Sequence, residues 1–290
     1  MSTPVEDGSA MKVLLAETMG FCFGVEDAIE LARLAAQGEE RVHSLGPLIH
    51  NQQVIRELEA CGLVPVDSVE ALDDKPVVIR AHGVSPDTLA AVKRRSLKVI
   101  DATCVLVRRA QQAVYSLHQE GYRVVIVGDA EHPEVRAIVG YAPEVTVIAG
   151  VEELDRLPKA GRLGVIGQTT LSEQHFAAVV ARILLRPFRE IKIVNTLCLE
   201  VVRRQQAAVD LCNKVDVMFV LGGLHSANTR ELAALCRAQG VPTYHLENWE
   251  SFQMEFVRGR RVAGVTAGAS TPDWVITQFV RGLESIENTS

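Results

Sequence analysis

Along this chain, short apolar runs alternate with stretches whose apolar positions recur every three or four residues. The runs read as strands: MKVLLA (11–16), VHSL (42–45), VVIR (77–80), KVID (98–101), RVVIVG (123–128), VTVIAG (145–150), LGVIG (163–167), IKIVN (191–195), DVMFVLGG (216–223), PTYHL (242–246) and RVAGVTAG (261–268). Between most of them lie helical patterns such as VEDAIELARLAAQ, PDTLAAVKRRS and SANTRELAALCRAQG. Strands separated by amphipathic helices predict an α/β fold of parallel sheets covered by helices. Eleven such strands allow one very large sheet or several smaller ones.

Three cysteines divide the pattern. Cys22 in VLLAETMGFCFGVEDAIELA, Cys104 in KVIDATCVLVRRAQQAVYSL and Cys198 in IKIVNTLCLEVVRRQQAAVDL each follow a strand and open a helix. Cys104 lies 82 residues after Cys22, and Cys198 lies 94 residues after Cys104, each the span of a small α/β unit. The flanking segments VRRAQQA and VRRQQAA are also alike. Three similar domains are therefore expected, over residues 22–103, 104–196, and 197–283 together with 11–21. Residues 1–10 and 284–290 are expected to be tails.

The bulk properties narrow the function. A chain of 290 residues with 48% hydrophobic and 23% charged residues is long enough for a large buried core. A net charge of −6 lacks the basic field that general nucleic-acid and membrane-surface binders need. The start, MSTPVEDGSA, is polar and acidic rather than signal-like, and no apolar run approaches the roughly 18 residues needed to cross a bilayer. A cytoplasmic protein is expected. Its six cysteines include no C-x-x-C pair and make no disulfide framework. Cys61, Cys212 and Cys236 fall within helical patterns and are expected to be packing residues.

Cys22, Cys104 and Cys198 carry a different expectation. Open α/β sheets bind ligands beyond the carboxyl ends of their strands. A cysteine at a helix N-terminus feels the positive end of the dipole, which favours the metal-binding thiolate. Three domains around one axis would aim three thiolates at one point. That set suits an iron–sulfur cluster with one iron lacking a protein ligand, or zinc with an open position. His50, His82, His132, Thr169, Thr170, Ser226, Asn228 and Ser270 sit at similar strand ends. Hydroxyl and amide residues there are also ordinary helix caps, but together with imidazoles and helix N-termini they make an anion site, such as one for a diphosphate. Glu134 would be the carboxylate beside it, and burial near an anion would keep it protonated as a proton donor.

Taken together, GFCFGV (20–25), HN (50–51), AHGVS (81–85), DATC (101–104), HPEV (132–135), QTTLS (168–172), RQ (204–205), SAN (226–228) and TAGAS (266–270) resemble the 4-hydroxy-3-methylbut-2-enyl diphosphate reductases of the non-mevalonate isoprenoid pathway. The resemblance runs in family order from residue 11 to about 283. It implies a trefoil of three α/β domains around a central [4Fe–4S] cluster held by Cys22, Cys104 and Cys198. It further implies that His50, His82, His132, Ser226, Asn228 and Ser270 hold the diphosphate. Thr169 would orient the substrate hydroxyl and Glu134 would supply protons. An external electron donor such as ferredoxin or flavodoxin is implied as partner.

Three positions depart from the family pattern. Where the family has x-Ala-Thr after the third cysteine, this chain has Leu199-Glu200-Val201; Ser-Ser-Asn becomes Ser226-Ala227-Asn228, and the proline after DATC becomes Val105. Two hydroxyls are lost and a carboxylate is added. A relative with the same cluster and another diphosphate substrate is the second reading. A non-enzymatic iron–sulfur or zinc binder is the third, and the retained Glu134 and Thr169 count against it.

Overall fold

The structure, a computed structural model, describes residues 11–37, 41–95 and 98–286. The tail expected at residues 1–10 lies outside this set, as do residues 287–290 of the C-terminal one. β1 (Lys12–Leu15) leads into α1 (Phe23–Ala36). There follow β2 (Val42–Leu45), α2 (Gln52–Ala60), β3 (Leu63–Val66), β4 (Val77–Ile79), α3 (Pro86–Arg94) and β5 (Val99–Asp101). The middle of the chain forms α4 (Val105–Gln119), β6 (Arg123–Val127), α5 (Pro133–Val139), β7 (Thr146–Ile148), β8 (Arg162–Gly167), α6 (Glu173–Ile183) and β9 (Glu190–Val194). The last part forms α7 (Leu199–Cys212), β10 (Val217–Leu221), α8 (Ala227–Ala238), β11 (Thr243–Leu246), β12 (Val262–Ala267) and α9 (Asp273–Glu284).

The strands make three four-stranded sheets, ordered β3-β2-β4-β5, β7-β6-β8-β9 and β11-β10-β12-β1, and every pairing is parallel. Each reads second, first, third, fourth in its own chain order, with β1 standing in the third sheet where a fourth strand would follow β12. The direction of winding reverses between the first and third strands, the place where open α/β sheets bind ligands. By contact density the chain forms two compact units, Phe23–Leu199 with the first two sheets and Met1–Cys22 with Glu200–Ser290 carrying the third.

All eleven expected strands are present. The additional one, β3, reads LVPV, and its Pro65 argues against a strand when the sequence is read alone. β3 is an edge strand, so the missing N–H of Pro65 costs no ladder bond. The central strands β6 and β10 are buried almost throughout, as expected of strands with helices on both faces. Around β6 and β8 pack Ala110, Val114, Leu117, Val135 and Ile138 of α4 and α5. Around β10 and β12 pack Phe279 and Leu283 of α9. At about 1.5–3 kcal/mol for each fully buried large side chain, these clusters hold the strand ends in register.

Cys212, at the end of α7, and Cys236, within α8, are packing residues of one core cluster, as expected. Cys61 does not: it is exposed at the end of α2, where its N–H closes the last turn on Glu57. No helix among the described residues is long and apolar enough to cross a membrane.

Candidate functional site

The shared topology gives the candidate residues equivalent addresses. After the first strand of each sheet come His50, His132 and Ser226; after the third come His82, Thr169 and Ser270; after the fourth come Cys104, Cys198 and Cys22. The backbone repeats the correspondence. The N–H of Cys104 donates to the carbonyl of Ala81 at 3.0 Å, that of Cys198 to Thr169 at 2.9 Å, and that of Cys22 to Ala269 at 3.2 Å. Each cysteine is thus tied to the loop that follows the third strand of its own sheet. None of the six cysteines is in a disulfide.

In the unit Phe23–Leu199, the rings of His50 and His82 are 4.4 Å apart, and each lies 5.6 Å from His132. One ring nitrogen from each falls within 4.8 Å of the others, the only grouping among the described residues compact enough for a single metal ion. His132 caps α5, with its Nδ1 accepting the Glu134 N–H at 3.2 Å. That bond puts the proton of the neutral ring on Nε2 and makes Nε2 a donor. Burial, reinforced by the charges of His50, His132 and Arg80, holds His82 well below the usual imidazole value. The three rings form a compact imidazole cluster in which His82 disfavours a proton.

Glu134 is only 2% exposed. Its Oε1 accepts the Thr169 N–H at 2.9 Å and its Oε2 accepts the Thr169 hydroxyl at 2.7 Å. Burial raises its pKa, and the two bonds from Thr169 partly oppose the rise. The Thr169 carbonyl in turn receives the Cys198 N–H, so one residue links the carboxyl group to a cysteine loop.

Cys104 depends on a glycine that the sequence reading passed over. A Cβ on Gly24 of α1 would stand 2.6 Å from Cys104 Sγ. The second glycine of GFCFGV is therefore needed for the thiol to occupy its place.

In the other unit, Arg204 is 3% exposed. Its Nε donates to the carbonyl of Gly20 at 3.1 Å and one terminal nitrogen to that of Phe21 at 2.8 Å. The other terminal nitrogen meets the Glu200 carbonyl at 2.8 Å and its carboxylate at 3.2 Å. Arg204 clamps the loop that presents Cys22, and Glu200, which also pairs with Arg203, neutralises part of its charge. The sequence contained RQ as a match without indicating this role. Ser226 caps α8 by accepting the Thr229 N–H at 3.3 Å, so it fills the ordinary capping role as well as its strand-end address. Both polar atoms of the Asn228 amide, and the Thr266 hydroxyl, are buried without a hydrogen-bond partner among the described residues. Such buried polar atoms call for a partner that the described residues do not supply. Val201, where the family pattern has a threonine, is buried, and Val105 is exposed.

The model of the LytB protein family matches residues 13–284. A protein of Trichlorobacter lovleyi named 4-hydroxy-3-methylbut-2-enyl diphosphate reductase is 41% identical over 280 residues, covering 96% of this chain and all of its own. Its namesake in Citrifermentans bemidjiense is 42% identical over 279 residues, covering 96% of this chain and 98% of its own. Among solved structures, a reductase described as the terminal enzyme of the non-mevalonate pathway is 38% identical with a TM-score of 0.69, covering 95% of this chain and 100% of its own. A reductase from Plasmodium falciparum is 27% identical with a TM-score of 0.88, covering 94% of this chain and 87% of its own.

Proposed function

The chain belongs to the LytB protein family, and from that premise we propose that it removes the allylic hydroxyl of 4-hydroxy-3-methylbut-2-enyl diphosphate. The reaction takes up two electrons and two protons and yields water with isopentenyl or dimethylallyl diphosphate. The observation that carries the reading is the buried Glu134–Thr169 pair beside three clustered histidines.

Cys22, Cys104 and Cys198 would hold a [4Fe–4S] cluster. Their fit rests on three thiols outside any disulfide, each after the fourth strand of its sheet, with Gly24 leaving room for Cys104 Sγ. When bound, such a cluster supplies single electrons and an iron without a protein ligand. The remaining roles belong to the chain itself. By the family resemblance, His50, His82 and His132, with Ser226, Asn228 and Ser270, would hold the diphosphate. His82 is desolvated and His132 buried before the anion binds, so donor bonds from them to it are strong. Thr169 orients the substrate hydroxyl. For the relay, the Thr169 hydroxyl, which here donates to Glu134 Oε2 at 2.7 Å, would turn its hydrogen to the leaving oxygen and accept the proton of protonated Glu134 in exchange.

Ferredoxin or flavodoxin suits the electron supply, and the cytoplasm suits such a partner. Anaerobic purification with iron and sulfide analysis tests the ligand set. Serine at Cys22, Cys104 or Cys198 should each abolish stable cluster binding, and serine at Cys61, Cys212 or Cys236 should not. Full iron content after any of the first three changes would sink the assignment.

A further inference from the structure

Within the unit Phe23–Leu199, a cavity of about 370 Å³ opens beside the histidine triad and takes no part in the chemistry above. Its walls come from the segments that carry the triad. Pro47 lies three residues before His50, Arg80 two before His82, and Pro133 directly after His132. The N-terminal turn of α3 adds the hydroxyls of Ser85 and Thr88.

Arg80 is the unusual member. Its Nε is buried with no hydrogen-bond partner, and no carboxylate pairs with its guanidinium, among the described residues. The charged group it does feel is another cation, Arg136 of α5, which adds to burial in lowering its pKa. Gly46 makes room for it: a Cβ there would stand 2.6 Å from an Arg80 terminal nitrogen, and the glycine takes φ +71°. Arg136 pairs with Glu131, and Asp67 lines the cavity from an exposed position without pairing to either arginine. A half-buried guanidinium with an unmet donor and a like charge nearby is an unfavourable arrangement unless an anion joins it. The hydroxyls of Ser85 and Thr88 are 2.9 Å apart, so one proton serves their mutual contact and the other is available to a ligand.

We propose that this cavity is a second anion site, distinct from the histidine triad, for a phosphate-bearing small molecule gripped between Arg80 and Arg136. Guanidinium groups match phosphate oxygens in fork geometry, and the cavity exceeds a single phosphate, so diphosphate is the better fit. The ligand could be free inorganic diphosphate or the diphosphate end of an ester. The site lies along the same three segments as the triad, so it fits a waiting position for the substrate or a holding position for a product.

The test is calorimetric titration of the anaerobically purified, cluster-containing full chain with inorganic diphosphate, and separately with inorganic phosphate and dimethylallyl diphosphate. Two classes of site are expected for inorganic diphosphate. Arg80→Met should weaken one class at least tenfold, and Arg136→Gln should weaken the same class at least threefold. His132→Ala should weaken only the other. Arg136 is exposed, so its variant tests the site even where Arg80→Met fails to fold. A single class, lost in His132→Ala and unchanged in Arg136→Gln, overturns the proposal. Should His132→Ala leave both classes intact, the triad's role in the proposed reaction fails while the cavity site stands. Stronger binding of dimethylallyl diphosphate than of inorganic diphosphate at the Arg80 class identifies the ester as the ligand, and the reverse order identifies the free ion.

Discussion

Replacing Gly24 by alanine should affect cluster loading and folding in opposite directions. Gly24 sits in the first turn of α1 at a helical backbone angle, so alanine is unstrained there. Exchanging a helical glycine for alanine stabilises by up to about 0.5–1 kcal/mol. The new Cβ, however, would lie 2.6 Å from Cys104 Sγ, about 0.8 Å inside the 3.4 Å limit of ordinary contact. Without a cluster the thiol can turn aside and the clash disappears. With one it cannot, because metal–ligand distances tolerate only about 0.2 Å. The required displacement is several times that tolerance. Iron and acid-labile sulfide measured after anaerobic reconstitution should fall well below wild type, while the Tm of the cluster-free protein stays level or rises by a few degrees. Wild-type iron content in Gly24→Ala would refute the reasoning. A matching loss of apo-protein Tm would show that the glycine serves only to pack the fold.

Further expectations follow from the same geometry. Glu134→Gln should bind substrate within about tenfold of wild type, roughly 1.4 kcal/mol, while turnover falls 10² or more, as measured by steady-state kinetics. Burial raises the Glu134 pKa above its ordinary 4.5, so the acid form is lost as pH rises through the raised value. Turnover limited by this proton should decline over that rise, and the carboxyl band in infrared difference spectra should titrate with it. The stability Glu134 contributes is complete below its unfolded value and is lost across the same window, so apo-protein Tm should lose that slope in Glu134→Gln. Arg204→Met leaves two loop carbonyls and Glu200 without their cation. It should lower apo stability by about 3 kcal/mol or more in denaturant melts and loosen Cys22 in the reconstituted spectrum. Val201→Thr with Ala227→Ser returns two hydroxyls to the family positions and should tighten diphosphate binding by about 1–3 kcal/mol in calorimetry. Unchanged affinity would mean that these positions do not face the anion.

The sequence made much of this legible for a physical reason. Strands buried on both faces must be apolar runs, and those runs stand out between amphipathic helices. β3 was hidden because a proline is tolerated only at an edge, and edges are a property of the assembled sheet. The strand-end addresses of His50, His82, His132 and Glu134 could be read because each lies in the short loop or first helical turn after an apolar run. What the pattern could not reveal was mutual geometry. Gly24 matters through an atom it lacks, against a side chain 80 residues away in sequence. Arg204 matters through carbonyls more than 180 residues distant. Glu200, the carboxylate this chain adds to the family pattern, is engaged by Arg203 and Arg204.

The most direct measurement is turnover. Cluster-loaded protein, kept anaerobic with a low-potential one-electron reductant, would be given 4-hydroxy-3-methylbut-2-enyl diphosphate and its products separated and quantified. The account predicts isopentenyl and dimethylallyl diphosphate, with two electrons consumed per molecule and at least a hundredfold loss in Glu134→Gln. Cluster-loaded protein that accepts electrons yet leaves this substrate unchanged would contradict it.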